Sequence, residues 1–533
     1  MILKFFGADK EVTGSCHYLE VNGRKLLIDC GLQQGQDEQE GENEHFPFSP
    51  GELDAVFVTH AHIDHSGRLP MLIKNGYRGP IYATRMTCEL LKIMLEDSAH
   101  IQEMEAKWKQ RKHRRSGDEL EDALYTIQDA EKTFDYLVPC EYHQHTKVFD
   151  GIEAEWVDAG HLLGSASIRF TLKEKEQTRT IVFSGDIGNY HQPIIRDPEY
   201  FTSADYVVME STYGDRLHEE TDDLVWELSH LIEETLLRGG NVVIPSFAVG
   251  RTQELLYFIR EMKERNLVKR VPDFPVYVDS PLALEATQIY DGDLTGYADA
   301  ETIAVLESGY RPISFPNLHL CRTAEESIAL NADLTPKVII SSSGMCEAGR
   351  IRHHLKHNLW RQECSIVFVG FQAYGSLGRK LIDGVESVKL FGEPVAVKAQ
   401  IHNFRGMSGH ADREGLLEWI GAYQCDLSRV FVVHGEQDIC ENFTRELCEQ
   451  GFPAWAPEFE GEYDLIANKI LYAGVPQDVS LREKRKKSTA VYDRLEQAGD
   501  RILAVIRHNQ GGSNKDLRKF TEQLLALAEK WDR

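Results

Sequence analysis

Alternating and short continuous apolar runs dominate about the first 200 positions of the chain. They predict strands at residues 3–6, 17–21, 25–28, 55–59, 152–156, 168–172 and 180–183. Apolar residues spaced three and four apart predict helices over residues 85–110 and 120–134. This part of the chain is therefore expected to be a mixed α/β unit.

The pattern changes at about residue 221, where helices and strands begin to alternate. Helices are predicted at 224–237 and 252–264, and strands at 241–245, 276–278, 338–342 and 365–369. Such alternation is typical of β-α units around a parallel sheet. Strand-like runs return at 395–401 and 430–433, and two helices are predicted near 489–508 and 513–531.

Composition narrows the class of protein. Among 533 residues, 85 are aspartate or glutamate and 59 are lysine or arginine, which gives a formal charge of −26. This argues against a protein that coats nucleic acid or membrane through its overall field, although a local basic groove is still compatible. The sequence has no apolar run of about 18 residues and no secretory signal pattern. Ten scattered cysteines without a C-x-x-C pair favour reduced thiols and a cytoplasmic location.

The segment THAHIDHSGRLP, residues 59–70, follows a buried strand and carries the strongest chemical signal. It places His60, His62, Asp64 and His65 within six positions. Imidazole and carboxylate groups are the ligands of zinc and similar ions. A polar loop with hydrogen-bonded histidines is the alternative, but four such side chains in one short run favour a metal site.

Three further side chains follow predicted strands and could complete such a site. These are His161 in DAGHLLG, Asp186 in FSGDIG and His434 in VVHGE. Each alone would more often be an ordinary loop residue. Because functional side chains gather where loops leave a rigid sheet, all seven together allow a dinuclear site with metals about 3.5–4 Å apart.

Motifs along the chain resemble those of the metallo-β-lactamase superfamily, and specifically its β-CASP nuclease branch. This branch includes the endonuclease subunit of the cleavage and polyadenylation specificity factor and its bacterial homologues. The H-x-H-x-D-H run, His161 and Asp186 match the metal motifs. The remaining matches are Asp29 in LLIDCG, Glu210 in VVMESTYGDR, His410 in MSGHAD and His434 in VVHGE.

The resemblance implies a fold and a set of ligands. The fold is α/β, a four-layer αβ/βα metallo-β-lactamase sandwich with an inserted α/β β-CASP domain. The implied cofactors are two Zn²⁺ ions, although manganese or iron can occupy such ligands. One ion would be held by His60, His62 and His161, the other by Asp64, His65 and His434, and Asp186 would bridge them. Asp29 would support a ligand without binding metal.

The resemblance also implies domain limits. The first part of the metallo-β-lactamase domain spans 1–210 and the β-CASP domain 211–389. The second part of the metallo-β-lactamase domain spans 390–475. A basic helical extension occupies 476–533.

The implied activity is metal-dependent hydrolysis of RNA phosphodiester bonds, mainly as an endonuclease, with 5′-exonuclease action as a second mode. A water bridging the two ions becomes a hydroxide nucleophile, Asp64 assists its deprotonation, and the product carries a 5′-phosphate. His410, positioned by Glu210, would protonate the leaving oxygen. DNA-specific members carry an apolar residue where this chain has His434, so RNA is favoured.

Two alternative functions stay open at this point. One is a DNA or small-phosphodiester hydrolase of the same fold, and the other is a non-catalytic RNA-binding scaffold. The full set of seven metal ligands argues against the scaffold.

Three loops in the predicted insert have the composition of phosphate-binding turns. They are PSFAVGRTQE at 245–254, SSSGMCEAGR at 341–350 and GFQAYGSLGR at 370–379, each after a predicted strand. The RNA phosphate contacts predicted from them are Arg251, Ser342, Ser343, Arg350 and Arg379. Tyr213 and Phe247 are plausible base-stacking residues, with core packing as the alternative.

Two basic runs lie at residues 107–115 and 481–487. Residues 107–115 are interpreted as a solvated helix face, with phosphate contact as the alternative. Residues 481–487 could bind RNA, and the helices after them could support a homodimer.

Overall fold

The structure is a computed structural model that describes most of the chain. It covers residues 1–35, 42–113, 122–218, 224–370, 372, 375–404 and 407–476. Toward the carboxyl end it covers 499, 502–503, 505–509 and 513–531. The predicted basic segment 481–487 and most of the predicted helix at 489–508 lie outside these ranges.

Two mixed sheets form the centre of the first domain. In one sheet the strand order is β23-β22-β1-β2-β3-β4-β5-β6, and in the other it is β21-β20-β11-β10-β9-β8-β7. The strands of the first sheet are β1 Ile2–Phe5, β2 His17–Val21, β3 Arg24–Ile28, β4 Ala55–Phe57, β5 Ile81–Thr84, β6 Leu137–Cys140, β22 Glu462–Asp464 and β23 Lys469–Tyr472. Those of the second are β7 Thr146–Phe149, β8 Ile152–Asp158, β9 Ala166–Glu174, β10 Gln177–Phe183, β11 Tyr206–Met209, β20 Arg429–Val432 and β21 Ala454–Trp455.

Helices cover the outer faces of both sheets, which gives four layers. A core that includes Phe57, Trp156 and Phe431 fills the space between the sheets. The helices α1 Ile63–Ser66, α2 Leu69–Lys74, α3 Arg85–His113 and α4 Ile127–Phe134 accompany the first sheet. The helices α12 Arg413–Gly421 and α13 Gln437–Glu449 cover the second, through Trp419 and Phe443. The predicted αβ/βα sandwich is confirmed.

A third, mainly parallel sheet belongs to the inserted domain, with the order β14-β13-β15-β12-β16-β19. Its strands are β12 Val242–Pro245, β13 Val276–Val278, β14 Leu318–Leu320, β15 Val338–Ser341, β16 Ser365–Phe368 and β19 Gln400–Asn403, and β17 Ser387–Leu390 pairs separately with β18 Glu393–Ala396. The helices of this domain are α5 Leu224–Leu237, α6 Arg251–Glu264, α7 Pro281–Tyr290, α8 Ala300–Glu307, α9 Ala324–Ala332, α10 Ile351–Asn358 and α11 Leu377–Ile382. The predicted inserted α/β domain is confirmed.

Several predicted boundaries need correction. The helix predicted at 120–134 begins only at Ile127, because the Thr126 side chain and Asp129 form a capping box. The strand predicted at 395–401 is two strands, β18 and β19. Strand β19 pairs with β16 of the inserted sheet although it lies beyond residue 389, and the predicted domain limits stay predictions.

The carboxyl-terminal helix predicted at 513–531 is present as α14, Asn514–Trp531. The basic run from residue 107 continues α3 as far as His113. None of the helices in the described ranges is long and apolar enough to cross a membrane.

Candidate metal centre

The predicted ligands meet at one edge of the two central sheets. Strands β3 and β4 are parallel, as are β10, β11 and β20, so their carboxyl ends lie on the same side. His60, Asp186 and His434 each come two to three residues after such a strand, and His161 follows β8 at the same edge. Strand order therefore brings together side chains that are far apart in sequence.

The first ligand group consists of His60, His62, His161 and Asp186. The Nδ1 atom of His62 lies 3.1 Å from the Nε2 atoms of both His60 and His161. Asp186 Oδ2 lies 3.4 Å from His60 Nε2 and 3.5 Å from His161 Nε2. Four donor atoms thus point at one small volume.

The second group consists of Asp64, His65 and His434, with Asp186 beside it. The Nε2 atoms of His65 and His434 are 3.0 Å apart, and Asp64 Oδ2 is 3.6 Å from His434 Nε2. Asp186 Oδ1 lies 3.1 Å from His65 Nε2 and 3.5 Å from His434 Nε2. The two oxygens of Asp186 therefore face the two groups.

These separations suit metal ions. Tetrahedral zinc with Zn–N distances of 2.0–2.1 Å places its ligands about 3.3–3.4 Å apart. In addition, Asp186 Oδ1 is buried, and no well-directed hydrogen bond reaches it from the described residues, although the Nε2 atoms of His65 and His434 lie 3.1 and 3.5 Å away. A buried carboxylate oxygen without a partner is costly, and a bound cation would satisfy it. The donor set fits two divalent ions that share Asp186.

Protonation in the first group favours metal binding. Burial lowers the pKa of His62 and lowers the pKa of His60 and His161 well below the ordinary histidine value. These three imidazoles are therefore neutral donors. Asp64 belongs to the second group. Burial opposes its ionisation, but the neighbouring imidazoles of His434 and His65 lower its pKa to about 2.

Carboxylates dominate the electrostatics of the second group. Burial disfavours a charged His65, yet Asp186 and Asp29 raise its pKa well above the usual range. Asp186 and Asp64 likewise raise the pKa of His434 against the effect of burial. Carboxylates that raise the pKa of neighbouring histidines in this way also attract metal cations to the site.

Asp29 orients the His65 side chain from outside the ligand group. Its Oδ2 accepts hydrogen bonds from His65 Nδ1 and Thr59 Oγ1, each at 2.8 Å, and its Oδ1 accepts from the Thr59 amide at 2.8 Å. Asp29 has a φ of 59°, a left-handed conformation that aspartate tolerates better than most residues. These contacts allow Asp29 to support His65, and that role stays a prediction.

Two contacts that hold ligand rings could not be read from the sequence. The Gly409 carbonyl lies 3.0 Å from His161 Nδ1, and Thr212 Oγ1 lies 3.0 Å from His434 Nδ1. Gly409 precedes His410 in a recognised motif, but nothing in a sequence indicates where a backbone carbonyl points. Such contacts fix which ring nitrogen faces the metal.

Glu210 and His410 form a pair beside Asp186. Both carboxylate oxygens of Glu210 lie 3.2 Å from His410 Nδ1, and His410 Nδ1 is 4.0 Å from Asp186 Oδ2. Burial disfavours the charged imidazole, but Glu210 raises the pKa of His410 to about 9. Glu210 is itself held by the Ile187 amide, which donates to it at 2.5 Å.

A cavity of about 400 Å³ opens beside the ligands. The predicted site residues that line it are His62, Asp64, His161, Asp186, Tyr213, Phe247, Arg251 and His410. The Arg251 guanidinium lies close to Gly409 and His161. A Cβ placed on Gly409 would be 4.0 Å from Arg251 Nη2 and 3.3 Å from His161 Cε1. Arg251 also pairs with Glu254.

The other four predicted phosphate contacts are not among the described residues that line this cavity. Arg350 pairs with Asp279 at 2.6 Å, Arg379 with Asp383 at 3.0 Å, and the Oγ atoms of Ser342 and Ser280 are 2.8 Å apart. The Ala348 amide donates to Ser343 Oγ at 3.4 Å. The RNA contacts of these four residues stay predictions.

The chain matches three family models in succession. Residues 18–204 match the metallo-beta-lactamase superfamily domain, and residues 252–381 match the Beta-Casp domain. Residues 394–457 match the Zn-dependent metallo-hydrolase RNA specificity domain. These models cover the three structural parts that carry the site.

Several named proteins are similar over most of the chain. Ribonuclease TTHA0252 of Thermus thermophilus is 39% identical over 433 residues, which are 81% of this chain and 93% of that protein. Transcription termination factor FttA of Methanocaldococcus jannaschii is 30% identical over 452 residues, 83% of this chain and 68% of that protein. FttA of Methanosarcina mazei is 30% identical over 445 residues, with coverages of 81% and 67%.

The motifs, the four-layer sandwich with its insert, the three models and these relatives agree, and this chain belongs to the β-CASP group of the metallo-β-lactamase superfamily.

Proposed function

We propose that the protein is a metal-dependent ribonuclease that hydrolyses RNA phosphodiester bonds with two divalent ions, acting mainly as an endonuclease. The observation that carries this proposal is the pair of ligand groups sharing Asp186 at the wall of a cavity. Family membership, the matched RNA specificity domain and a relative that is itself named a ribonuclease support RNA as substrate.

The proposed ligands divide into two sets. His60, His62 and His161 hold one ion, Asp64, His65 and His434 hold the other, and Asp186 contributes one oxygen to each. Zinc suits this histidine and aspartate set. Bound there, the two ions supply an activated water as the nucleophile and neutralise charge on the phosphate.

His410 is the proposed proton donor. Glu210 keeps this imidazole charged at neutral pH and fixes its Nδ1, which leaves Nε2 free to protonate the departing 3′ oxygen. The products are then a 3′-hydroxyl end and a 5′-phosphate end. Arg251, close to Gly409, is the proposed contact for a neighbouring phosphate.

The decisive experiment uses RNA labelled internally and, separately, at its 5′ end. Incubation with zinc should release oligonucleotides with 5′-phosphate ends, and chelation should stop the reaction. Products of mononucleotide size alone would reject endonuclease action. Equal cleavage of DNA, or cleavage of a small aryl phosphodiester without cleavage of RNA, would reject the assigned substrate.

Location and assembly are further parts of the proposal. The ten cysteines are free thiols, eight of them buried, which supports a reducing compartment such as the cytoplasm. A homodimer through the carboxyl-terminal helices stays a prediction, to be checked by the mass of the protein in solution.

A further inference from the structure

One side of the catalytic cavity is apolar. Six residues that line it form what we call the apolar wall: Met94, Leu162, Ile194, Ile195, Val249 and Met407. Each is less than a tenth exposed. The wall combines residues from the metallo-β-lactamase domain with Val249 of the insert, so it exists only where the two domains meet.

The backbone holds part of this wall under strain. Ile194 has a φ of 78°, a left-handed conformation that is a genuine outlier for a β-branched residue. The Asp299 amide of the insert donates to the Ile194 carbonyl at 3.0 Å, and Ile195 forms a β-bridge with Ala298. Strained conformations persist where the surroundings impose them, and they cluster at functional sites. This one places two isoleucine side chains beside the catalytic residues.

A phosphodiester alone does not account for the wall. Phosphate and the metal ions need the charged and polar side of the cavity, whereas apolar side chains gain only from contact with an apolar ligand surface. In an RNA strand, that surface is the face of a base. Given the proposed ribonuclease function, on which this step rests, the group nearest to a bound scissile phosphate is the base of an adjoining nucleotide.

We infer that the apolar wall binds the unpaired base of a nucleotide adjoining the scissile phosphate. Recognition is by contact with the base face, so all four bases are accepted and a paired base is excluded. Phe247 lies at the same cavity and is 45% exposed, which makes it the stacking surface for the next base along the strand. The wall therefore makes the enzyme specific for single strands without reading their sequence.

The test begins with the unmodified zinc-loaded enzyme and a set of single-stranded RNAs. In each strand one nucleotide, from two before to two after the cleaved bond, lacks its base. One position next to the bond should show kcat/KM lowered about tenfold or more, the range for loss of one stacked base. The next position along the strand, whose base stacks on Phe247, should show a loss as well, and the remaining positions should show smaller losses. Changing the identity of the base next to the bond should alter kcat/KM less than threefold.

A variant then links this loss to the wall. Met94→Trp fills the cavity from helix α3, and it should lower cleavage of intact RNA by a similar factor. Since the base is already displaced, removing it from the RNA should have little further effect on this variant. Met104→Trp is the matched control, because Met104 lies on the same helix but is 54% exposed, and it should behave like the parent. Ile195→Phe replaces Met94→Trp if that variant does not fold.

Two results would overturn the inference. One is equal kcat/KM for intact strands and every abasic strand with the parent enzyme, and the other is additive losses in Met94→Trp. Binding of the same RNAs is measured by fluorescence anisotropy alongside cleavage. Binding without any cleavage by the zinc-loaded enzyme would contradict the proposed function, whereas equal affinity for intact and abasic strands would contradict the base site.

Discussion

His410 is the residue on which the proposed chemistry can be tested most directly. His410→Ala should lower kcat for RNA cleavage by about 10²–10⁴-fold, because a positioned general acid contributes that much. The zinc content should stay at the parent value, since His410 is absent from both ligand groups. Metal analysis and single-turnover kinetics on the same preparation measure the two quantities.

The matched control for this variant is His402→Ala. His402 lies in β19, eight residues earlier in the chain, and the structure places it outside the cavity lining described above. This control should cleave RNA at close to the parent rate. Unchanged activity in His410→Ala would reject His410 as the proton donor.

Asp158 gives a prediction about stability and pH. Burial raises the pKa of this carboxyl from 3.8 to about 7, so the folded protein binds the proton more tightly than the unfolded chain does. The free energy of unfolding should therefore fall as pH rises from about 4 to about 7, by up to about 1.4 kcal/mol per pH unit from this group. Asp158→Asn removes that contribution and keeps an oxygen that can accept from the Gly160 amide.

Thermal unfolding of both proteins between pH 5 and pH 8 checks this. The melting temperature of Asp158→Asn should exceed that of the parent at pH 8, and the difference should shrink toward pH 5. A constant difference across this range would mean that Asp158 keeps an ordinary pKa in the folded protein.

At the scale of residues, the sequence indicates the side chains that the structure brings together better than the backbone groups that orient them. The run from His60 to His65 is a dense signal because metal-binding side chains are rarely so close together by chance. The contact of Gly409 with His161 gives no such signal, since it is made by a carbonyl. Arg350 illustrates the opposite situation. It lies in a loop with the composition of a phosphate-binding turn, yet its guanidinium pairs with the buried Asp279.

Among the elements, the loops after β8 and β10 determine the spacing of His161 and Asp186. They touch at Gly188, whose amide donates to the Ala159 carbonyl at 2.7 Å. A Cβ at Gly188 would lie 1.8 Å from the Gly160 carbonyl oxygen. Because that neighbour is backbone, a side chain at this position must push the two loops apart.

Gly188→Ala should therefore lower zinc occupancy and RNA cleavage together, each by about tenfold or more, as seen when supports of metal ligands are disturbed. Gly421→Ala is the control, since a Cβ there would meet nothing within 4 Å. Metal analysis and kcat/KM for both variants provide the measurement. Full zinc occupancy in Gly188→Ala would show that the loops can separate without moving the ligands.

Short strands bounded by turn residues are the easiest elements to predict, and β2, which is almost fully buried, occupies the predicted residues. The run at 395–401 misled because two short strands that belong to different sheets follow one another without a clear turn signal. The prediction of helix α4 starts too early because apolar spacing continues upstream of Thr126. The observed start is set by the side-chain hydrogen bonds of the amino-terminal cap, which apolar spacing does not indicate.

For the whole molecule, metal binding at the proposed site should make stability depend on metal. Residues 60–65, 161, 186 and 434 belong to separate segments, so ions bound there would cross-link the fold. Zinc at a hundredfold excess over its dissociation constant should raise the free energy of unfolding by about 2.7 kcal/mol per site. Calorimetry with and without chelator should show the corresponding shift in melting temperature.

Asp186→Ala should reduce this effect, because it removes a donor atom from both ligand groups. The variant should bind less zinc and gain less thermal stability from it than the parent. Retention of both ions in Asp186→Ala would reject the bridging role.

In the sequence, only the family resemblance indicates that one domain is inserted into another. Periodicity detected a change to helix–strand alternation near residue 221. It gave no sign that β11 and β20, more than 200 residues apart, lie side by side. Pairing at that distance depends on the packed core of both sheets rather than on any local pattern.

The insert leaves the body of the molecule directly after Glu210 and returns shortly before His410. The two attachment points of the insert thus carry the carboxylate and the imidazole of the proposed proton-donating pair, 3.2 Å apart. Both are also tied to the loop after β10, because the Ile187 amide donates to Glu210 and Gly188 forms a β-bridge with His410. The entry and the exit of the insert are therefore fastened at one point, and a rotation of the insert about that point would leave the pair intact.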